Sequence, residues 1–465
     1  MWIFRGVNRN HVYGLKTRVA NDYTTCGQRL NLSLYTADYT GKFTSKNGDV
    51  MIRVVHVFAG PLTGGAAKGA FSLHEALRSF GVDSRVLTSG QFAADRTQLR
   101  GISWTGLHTI ERKVRARLDR AYIDLRHPFR MDTTFSQGLI GAPIVRHPWL
   151  KKADIIHLHW INAGFFRLEE LRNIQKPIVW TLRDMWPLTG GCHHALDCER
   201  YKDACGSCPQ LQSLIATDVT RKQSQSKKSI YDRSDITFVG ISDWLTEEAR
   251  KSGPVGSAHI VKTIPNAIAT TSFEPKSRQE MRRKHGLPLD VPIILLGANS
   301  ISSPYKGFEL AEKALKGISI KVFIALFGSD SKRIAGKLGF AKGFGTIRSD
   351  ETLSELYSAA DVFLAPSIAE SFGKTIAESM CCGTPVVAFN ATGPSSIIDH
   401  KIDGYLASPY DPNELRSGIE WILSDEAIKS QLGAKAREKV LKEFDYKVIV
   451  PRYIDLYEQL LQREK

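Results

Sequence analysis

Residues 361–390 read DVFLAPSIAESFGKTIAESMCCGTPVVAFN. The two ends, DVFLAP and PVVAFN, are apolar runs of strand length, and FGKTIAESM between them carries a helical pattern. Strand, turn, helix and strand in that order form one unit of a parallel sheet covered by helices. Glu370 falls just beyond the first strand, and Glu378 follows on the helix with seven residues between them. In open sheets of this kind ligands bind outside the carboxyl ends of the strands, where helix N-termini offer N–H groups to anions. The amides of Ser371, Phe372, Gly373 and Lys374 are placed for that role. A carboxylate at the position of Glu378, about one to two turns into the helix, can accept two hydrogen bonds from a vicinal diol such as that of ribose.

The same alternation extends outward from this unit. PIILLGA (292–298) and IKVFIALFG (320–328) precede it as strands, each followed by a helical pattern. Further upstream, VVHVF from Val54 leads into a helix through Phe71, Leu73, Leu77 and Phe80, and then into SRVLTS. DIIHLHW (154–160), PIVWTL (177–182) and DITFVGIS (235–242) continue that earlier series. The chain is therefore expected to form two doubly wound α/β domains, 51–265 and 266–435, followed by a helical segment 436–465 in which Pro451 predicts a kink. Residues 1–50 end in the polar run GKFTSKNGDV before Met51 opens the first strand. They read as a flexible extension or a non-native start, and no chemistry is assigned to them.

The 465 residues fit two or three domains, and 42% hydrophobic residues exclude a chain disordered throughout. The formal net charge is +15, of which +14 falls on residues 1–270 and +1 on 271–465. That imbalance points to nucleic acid, an anionic membrane surface or an anionic ligand. No run of 18 or more apolar residues predicts a membrane span, and the N-terminus lacks the pattern of a secretory signal. A cytoplasmic protein, soluble or peripheral on the inner face of the membrane, is expected.

With the motifs set out, a resemblance becomes specific. The paired glutamates, DVFLAPS before them, SFGKT between them, and CGTPVVAFNATG with DGYL (403–406) after them resemble the family-four retaining nucleotide-sugar glycosyltransferases of GT-B fold. The similarity runs from about Met51 to Leu461. It implies two Rossmann-like domains facing across a cleft, with C-terminal helices crossing back. It also implies that Glu378 binds the ribose of the donor while Glu370 sits by the donor sugar and its leaving diphosphate. Lys306, in SSPYKGFEL, stands where the family neutralises the diphosphate. Two positions depart from the pattern: Asn299 and Ser300 replace an arginine usual in the donor site, and Ser396 replaces a frequent glutamate. Residues 343–348 lie where relatives meet the base.

In the first domain, Gly64 and Gly65 in GPLTGGAAKGAF let the backbone approach a ligand at a helix start. In the family this loop closes over the donor phosphates. Residues 177–211, PIVWTLRDMWPLTGGCHHALDCERYKDACGSCPQL, resemble exopolysaccharide glycosyltransferases of the colanic-acid type. Relatives often carry His where Arg183 stands, beside the reacting centre. A guanidinium stays protonated, so Arg183 serves there as a charge that stabilises the leaving phosphate or holds an acidic acceptor, and Asp184 is placed to orient it. A strand-end Arg–Asp pair without catalytic duty is the alternative.

Cys192, Cys198, Cys205 and Cys208 have five, six and two residues between successive members. They leave two readings open: a structural zinc site, with His193 and His194 as spare ligands, or reduced thiols and a labile disulfide. IERKVRARLDRAYIDLRHPFR (110–130) places Ile110, Val114, Leu118, Tyr122 and Leu125 on one helical face, among Arg112, Lys113, Arg115, Arg117 and Arg120. Such a helix either lies on an anionic membrane or packs its apolar stripe on the sheet.

The expected activity is retaining transfer, of hexosyltransferase type, from a nucleoside-diphosphate sugar to a saccharide or lipid-linked saccharide in cell-surface polysaccharide, lipopolysaccharide included. No catalytic cofactor is expected. A GT-B epimerase or phosphorylase is the alternative, but neither the acid/base set of the first nor the pyridoxal phosphate lysine context of the second is recognisable. The basic residues show no nucleic-acid motif with interleaved aromatics, so no nucleic-acid partner is expected.

Overall fold

VVHVF is buried on both faces of its strand, β1 (Arg53–Phe58), as expected for the centre of a sheet that carries helices on each side. The structure, a computed structural model, describes residues 51–60, 64–89, 99–101 and 108–463. The extension 1–50 lies outside the described residues, as do 61–63 of the glycine-containing loop and the side chains of Arg112 and Tyr122.

Around β1 stand β2 (Asp83–Thr88), β3 (Leu99–Gly101), β4 (Ile155–Leu158), β5 (Ile178–Leu182), β6 (Ile236–Gly240) and β7 (Ile260–Thr263). They form a seven-stranded sheet in the order β3-β2-β1-β4-β5-β6-β7, parallel throughout. A second sheet contains β8 (Ile293–Gly297), β9 (Phe323–Phe327), β10 (Ala341–Gly343), β11 (Val362–Ala365), β12 (Val386–Phe389) and β13 (Tyr405–Ala407). Its order is β10-β9-β8-β11-β12-β13, again all parallel. Strand order reverses between β1 and β4 and between β8 and β11, which places a ligand crevice at each of these switch points.

The first sheet is accompanied by α1 (Gly65–Ser79), α2 (His108–Arg126), α3 (Pro148–Lys152), α4 (Val219–Tyr231) and α5 (Asp243–Lys251). The second has α6 (Arg278–Lys284), α7 (Phe308–Lys316), α8 (Ser331–Leu338), α9 (Asp350–Ala359), α10 (Lys374–Cys381), α11 (Pro412–Leu423) and α12 (Glu426–Glu443). Local sequence sets several starts. Asp218 accepts from the amides of Thr220 and Arg221 at α4, Ser242 from Leu245 at α5, and Ser349 from Thr352 at α9. At α11, Asp411 caps and Pro412 occupies the first turn.

The last helix, α13 (Tyr446–Arg463), runs through Pro451 and returns to the first sheet. Its Ile449, Val450, Leu456 and Leu460 pack with Val54, Leu73, Ile155 and Val179. Two phenols then reach into the sheet: Tyr457 bonds His157 Nδ1 at 2.7 Å, and Tyr453 bonds Thr181 Oγ1 at 3.1 Å. Both rings are almost fully buried, so these bonds satisfy groups that water cannot reach.

Four strands escape a reading of the sequence by apolar runs, namely β3, β7, β10 and β13. All four are sheet edges, where a strand is short and need not be apolar on both faces. The helix α2 also departs from one of its two readings. Its apolar stripe does not pack on the sheet: Ile110, Val114, Leu118 and Leu125 are 59%, 50%, 53% and 82% exposed. At roughly 100° per residue, Arg115, Asp119 and Ile123 lie along the flank beside the stripe, and it is this flank that docks. Asp119 accepts from the amides of Leu139 and Ile140, and Arg115 Nε donates to the carbonyl of Gly164.

Tyr457→Phe should lower unfolding stability by about 1–3 kcal/mol, because His157 Nδ1 loses its only partner in a dry site. Denaturant unfolding checks this, and an unchanged midpoint would mean that the return of α13 does not depend on that bond.

Candidate active site

The loop from Pro366 to Gly373 is shaped from three sides. Gly373, which precedes α10, has φ +105, and a Cβ there would meet Ile376 Cδ1 at 2.8 Å, so glycine is required. Gly393 N donates to the carbonyl of Glu370 at 2.7 Å, and Thr392 Oγ1 accepts from Glu370 N at 3.3 Å. From the first domain, Ser242 Oγ donates to the carbonyl of Ser371 at 2.7 Å. The amides that open α10 have no intrahelical acceptors and face this loop.

Lys306 is brought to the same place by its own turn. Gly307 has φ +63, and the carbonyl of Tyr305 accepts from Ile368 N at 2.8 Å. Lys306 Nζ consequently forms an ion pair with Glu370. Glu378 points into the core of the second domain, with a side chain 5% exposed. Tyr357 donates to its Oε2 at 3.2 Å, and Lys374 Nζ lies 3.5 Å from Oε1. Burial raises the Glu378 pKa above the ordinary carboxylate value despite the opposing charges of Lys374 and Lys68. Lys68 on α1 reaches across to Asp350 at the start of α9, 2.7 Å away.

Arg183, at the end of β5, lines one recess together with Gly65, Gly69, Asn266, Glu370, Gly373 and Lys374. The expectation that Asp184 orients it is not met. Both residues lie on a bend beyond the end of β5, where Asp184 turns away to accept from His193 Nδ1 at 2.6 Å and from the amide of Trp186 at 2.9 Å. The Arg–Asp pair of the alternative reading is absent for the same reason. Burial works against the Asp184 carboxylate, but His193 wins and holds its pKa below the ordinary range.

The partners of Arg183 are instead uncharged. Nη1 donates to Asn266 Oδ1 at 2.5 Å and Nη2 to His159 Nδ1 at 3.1 Å, while Nε is sealed from solvent without a partner. Because arginine only donates, His159 Nδ1 must be the lone pair, so His159 carries its proton on Nε2. That proton goes to His56 Nδ1 at 2.9 Å, which leaves the proton of His56 on Nε2, buried and unpaired. Burial pushes the pKa values of His56, His157 and His159 well below the usual histidine value, so all three are neutral.

These three histidines are the one set of His, Cys, Asp or Glu side chains among the described residues whose ligand atoms lie within 4.8 Å of one another. Both nitrogens of His157 and both of His159 already face hydrogen-bond partners, and a guanidinium adjoins the set, so a metal ion fits poorly there. Cys192, Cys198, Cys205 and Cys208 form no such set. They are free thiols, partly or fully buried, and burial raises Cys205 and Cys208 to about 11 and Cys192 further. The four thiols stand close enough to raise one another's pKa values.

The remaining expected residues fall as follows. Gly64 precedes α1 in extended conformation, and Gly65 is its first residue. Asn299 is exposed on the loop after β8, where its carbonyl accepts from Ser329 N, and it stands apart from the recess that Arg183 lines. Ser396 Oγ accepts from the amide of Trp244 at 3.0 Å, a contact between the domains. His159, Asn266, Lys68 and Asp350 were not anticipated. A signal for the first was present in DIIHLHW, where two histidines interrupt a buried strand, since polar groups in such positions need partners.

This architecture, two all-parallel sheets with a returning C-terminal helix and a cleft at their switch points, is the GT-B fold. The structure superposes on sucrose-phosphate synthase from Thermosynechococcus elongatus with TM-score 0.65 at 22% identity, covering 88% of this chain and 100% of that one. It superposes on Anabaena HepE, solved in complex with UDP-glucose, with TM-score 0.60 at 16% identity, covering 88% and 100%. Residues 277–439 match the family model described as glycosyl transferases group 1. An uncharacterised glycosyltransferase of Methanocaldococcus jannaschii is 31% identical over 273 residues, 54% of this chain and 69% of that protein. A D-inositol 3-phosphate glycosyltransferase of Xylanimonas cellulosilytica is 27% identical over 353 residues, 71% and 77% respectively. The chain belongs to the group 1 glycosyltransferases.

Proposed function

We propose that this glycosyltransferase moves a sugar, with retention of configuration, from a nucleoside-diphosphate sugar to a hydroxyl of a saccharide or lipid-linked saccharide during assembly of a cell-surface polysaccharide. The observation that carries the reading is the convergence of Glu370, paired with Lys306, with the opening amides of α10 and the guanidinium of Arg183, while Glu378 sits buried behind them. Anabaena HepE, of the same fold, has been solved with UDP-glucose. In this reading Glu378 accepts from the ribose hydroxyls, and residues 343–348 meet the base through backbone groups. Gly64 and Gly65 close over the phosphates from the opposite side, and Asn299 borders the donor loop.

The acceptor hydroxyl attacks the anomeric carbon on the face from which the diphosphate leaves. The bond from that carbon to the phosphate oxygen breaks, the new glycosidic bond forms, and the hydroxyl proton passes to the departing phosphate. No protein nucleophile takes part. The enzyme supplies positive charge, from Lys306, Arg183 and the amides of Ser371 to Lys374, and keeps water out. Glu378→Ala should weaken nucleoside-diphosphate binding most, whereas Glu370→Ala should lower turnover more than binding. A donor panel assayed by nucleoside-diphosphate release, with calorimetric binding, distinguishes the two, and unchanged behaviour in both variants would refute the assignment.

The raised pKa of Glu378 gives a signed pH dependence. Its ionised form is lost on acidification at a higher pH than for an exposed glutamate near about 4.3. Nucleotide affinity should therefore fall on acidification before exposed glutamates begin to titrate, and Glu378→Gln should flatten that fall. A profile that is the same in wild type and variant would place the titrating group elsewhere.

We also propose that the enzyme works at an anionic membrane surface, held by α2. The exposed stripe of Ile110, Val114, Leu118 and Leu125 is extended beyond the helix by Phe129, 83% exposed, and is flanked by exposed Lys113, Arg117 and Arg120. Among the described residues no helix is long and apolar enough to cross a membrane, so an amphipathic helix lying in the interface is the mode this surface suits. Binding to vesicles containing anionic lipid should exceed binding to neutral vesicles, and Leu118→Glu with Leu125→Glu should abolish the difference. Equal binding to both vesicle types would overturn the membrane reading.

A further inference from the structure

Among the described residues, every other cation of the cleft faces a carboxylate: Lys306 faces Glu370, Lys374 faces Glu378, and Lys68 faces Asp350. Arg183 does not. Of its five N–H donors, one goes to Asn266 Oδ1 and one to His159 Nδ1, both uncharged acceptors, and Nε has no partner. Taking a charge out of water is costly unless it is paired, so a site built only for stability would place a carboxylate beside this group. Neutral acceptors do something different: they fix the plane of a guanidinium without cancelling its charge.

The neutrality is itself enforced. His159 must accept from Arg183, and its other nitrogen is committed to His56 Nδ1. His159 stacks on His157 with ring centroids 4.2 Å apart, so the ring cannot swing away. Opposite, Gly69 of α1 approaches Arg183 Nη1 so closely that a Cβ there would lie 3.0 Å from it.

We propose that His159 and Asn266 are positioning residues that present Arg183 to the cleft as a guanidinium lacking any protein counter-charge, so that the anion neutralising it is the diphosphate of the substrate as it departs. This rests on the reading of the cleft as a nucleotide-sugar site. It adds two residues to the reaction and assigns them a requirement, that they bind arginine while remaining uncharged.

Isosteric variants that differ only in charge test it. In His159→Asn, Oδ1 takes the place of Nδ1 and the bond to Arg183 is kept. In His159→Asp the same bond is kept but a carboxylate now neutralises the arginine. The asparagine variant should retain donor turnover within about tenfold, while the aspartate variant should lose about a hundredfold in kcat, the scale of removing one charge-stabilising donor, with KM for the donor little changed. Its thermal midpoint should be no lower than that of the asparagine variant, since the added pair is favourable to the fold. Asn266→Asp should reproduce the loss from the other side of the guanidinium, and it serves if His159 variants fold poorly. Equal turnover in the asparagine and aspartate variants would overturn the proposal, because a merely structural role is served at least as well by the carboxylate. Inorganic pyrophosphate separates this from failure of the donor reading. If no nucleotide sugar is turned over, pyrophosphate should still raise the midpoint of wild type and His159→Asn but not of His159→Asp, and a shift common to all three would count against the proposal.

Discussion

The hydrogen bonds between Tyr457 and His157 and between Tyr453 and Thr181 tie the last helix to the centre of the first sheet. The first sheet is built from the start of the described chain, the second sheet follows, and only α13 brings the chain back across the first. His157, which receives α13, stacks on His159, and His159 holds Arg183 at the cleft. Thr181, which receives the other phenol, lies on β5, two residues before Arg183 just past the strand's end. The tie of the last helix and the cleft wall are thus one buried polar network, in which each unsatisfied group would cost about 1–3 kcal/mol. His56 Nε2 and Arg183 Nε are its members left unpaired. Networks of this kind favour a single arrangement over near alternatives, because partial satisfaction is worse than none.

Charge in the cleft follows a related logic. Lys306, Lys374 and Lys68 are each engaged by a carboxylate in the structure. A phosphate-bearing ligand that enters must compete for these cations, and of the carboxylates released, Glu378 and Glu370 are the groups proposed to bind its hydroxyls and sugar. The glycines beside these residues act through space: Gly393 and Gly307 let one loop lie against another, so the ends of strands that are distant in sequence deliver their side chains to one recess.

The central strands of both sheets were legible because a strand buried on two faces must be apolar along its length, as VVHVF and PIILLG are. The edge strands were not, since IVKT, AKG and YLA meet no such demand. In the site, Glu370 and Glu378 could be located from strand–turn–helix order, and the Lys374–Glu378 pair follows from helical spacing, whereas Lys306 reaches Glu370 from 64 positions away. The partner of Arg183 could not. Chain proximity favoured Asp184, but the bend after β5 turns the two side chains apart, and the true partners come from 24 and 83 positions away. The four cysteines, spread over seventeen positions, do come near enough to raise one another's pKa values.

The Lys68–Asp350 pair is sensitive to salt. It spans the cleft between α1 and α9, and its side chains keep 42% and 21% of their exposure, so dissolved ions reach it. Such a pair weakens as ionic strength rises, over a screening length of about 8 Å at physiological salt. Added salt therefore loosens this link between α1 and α9.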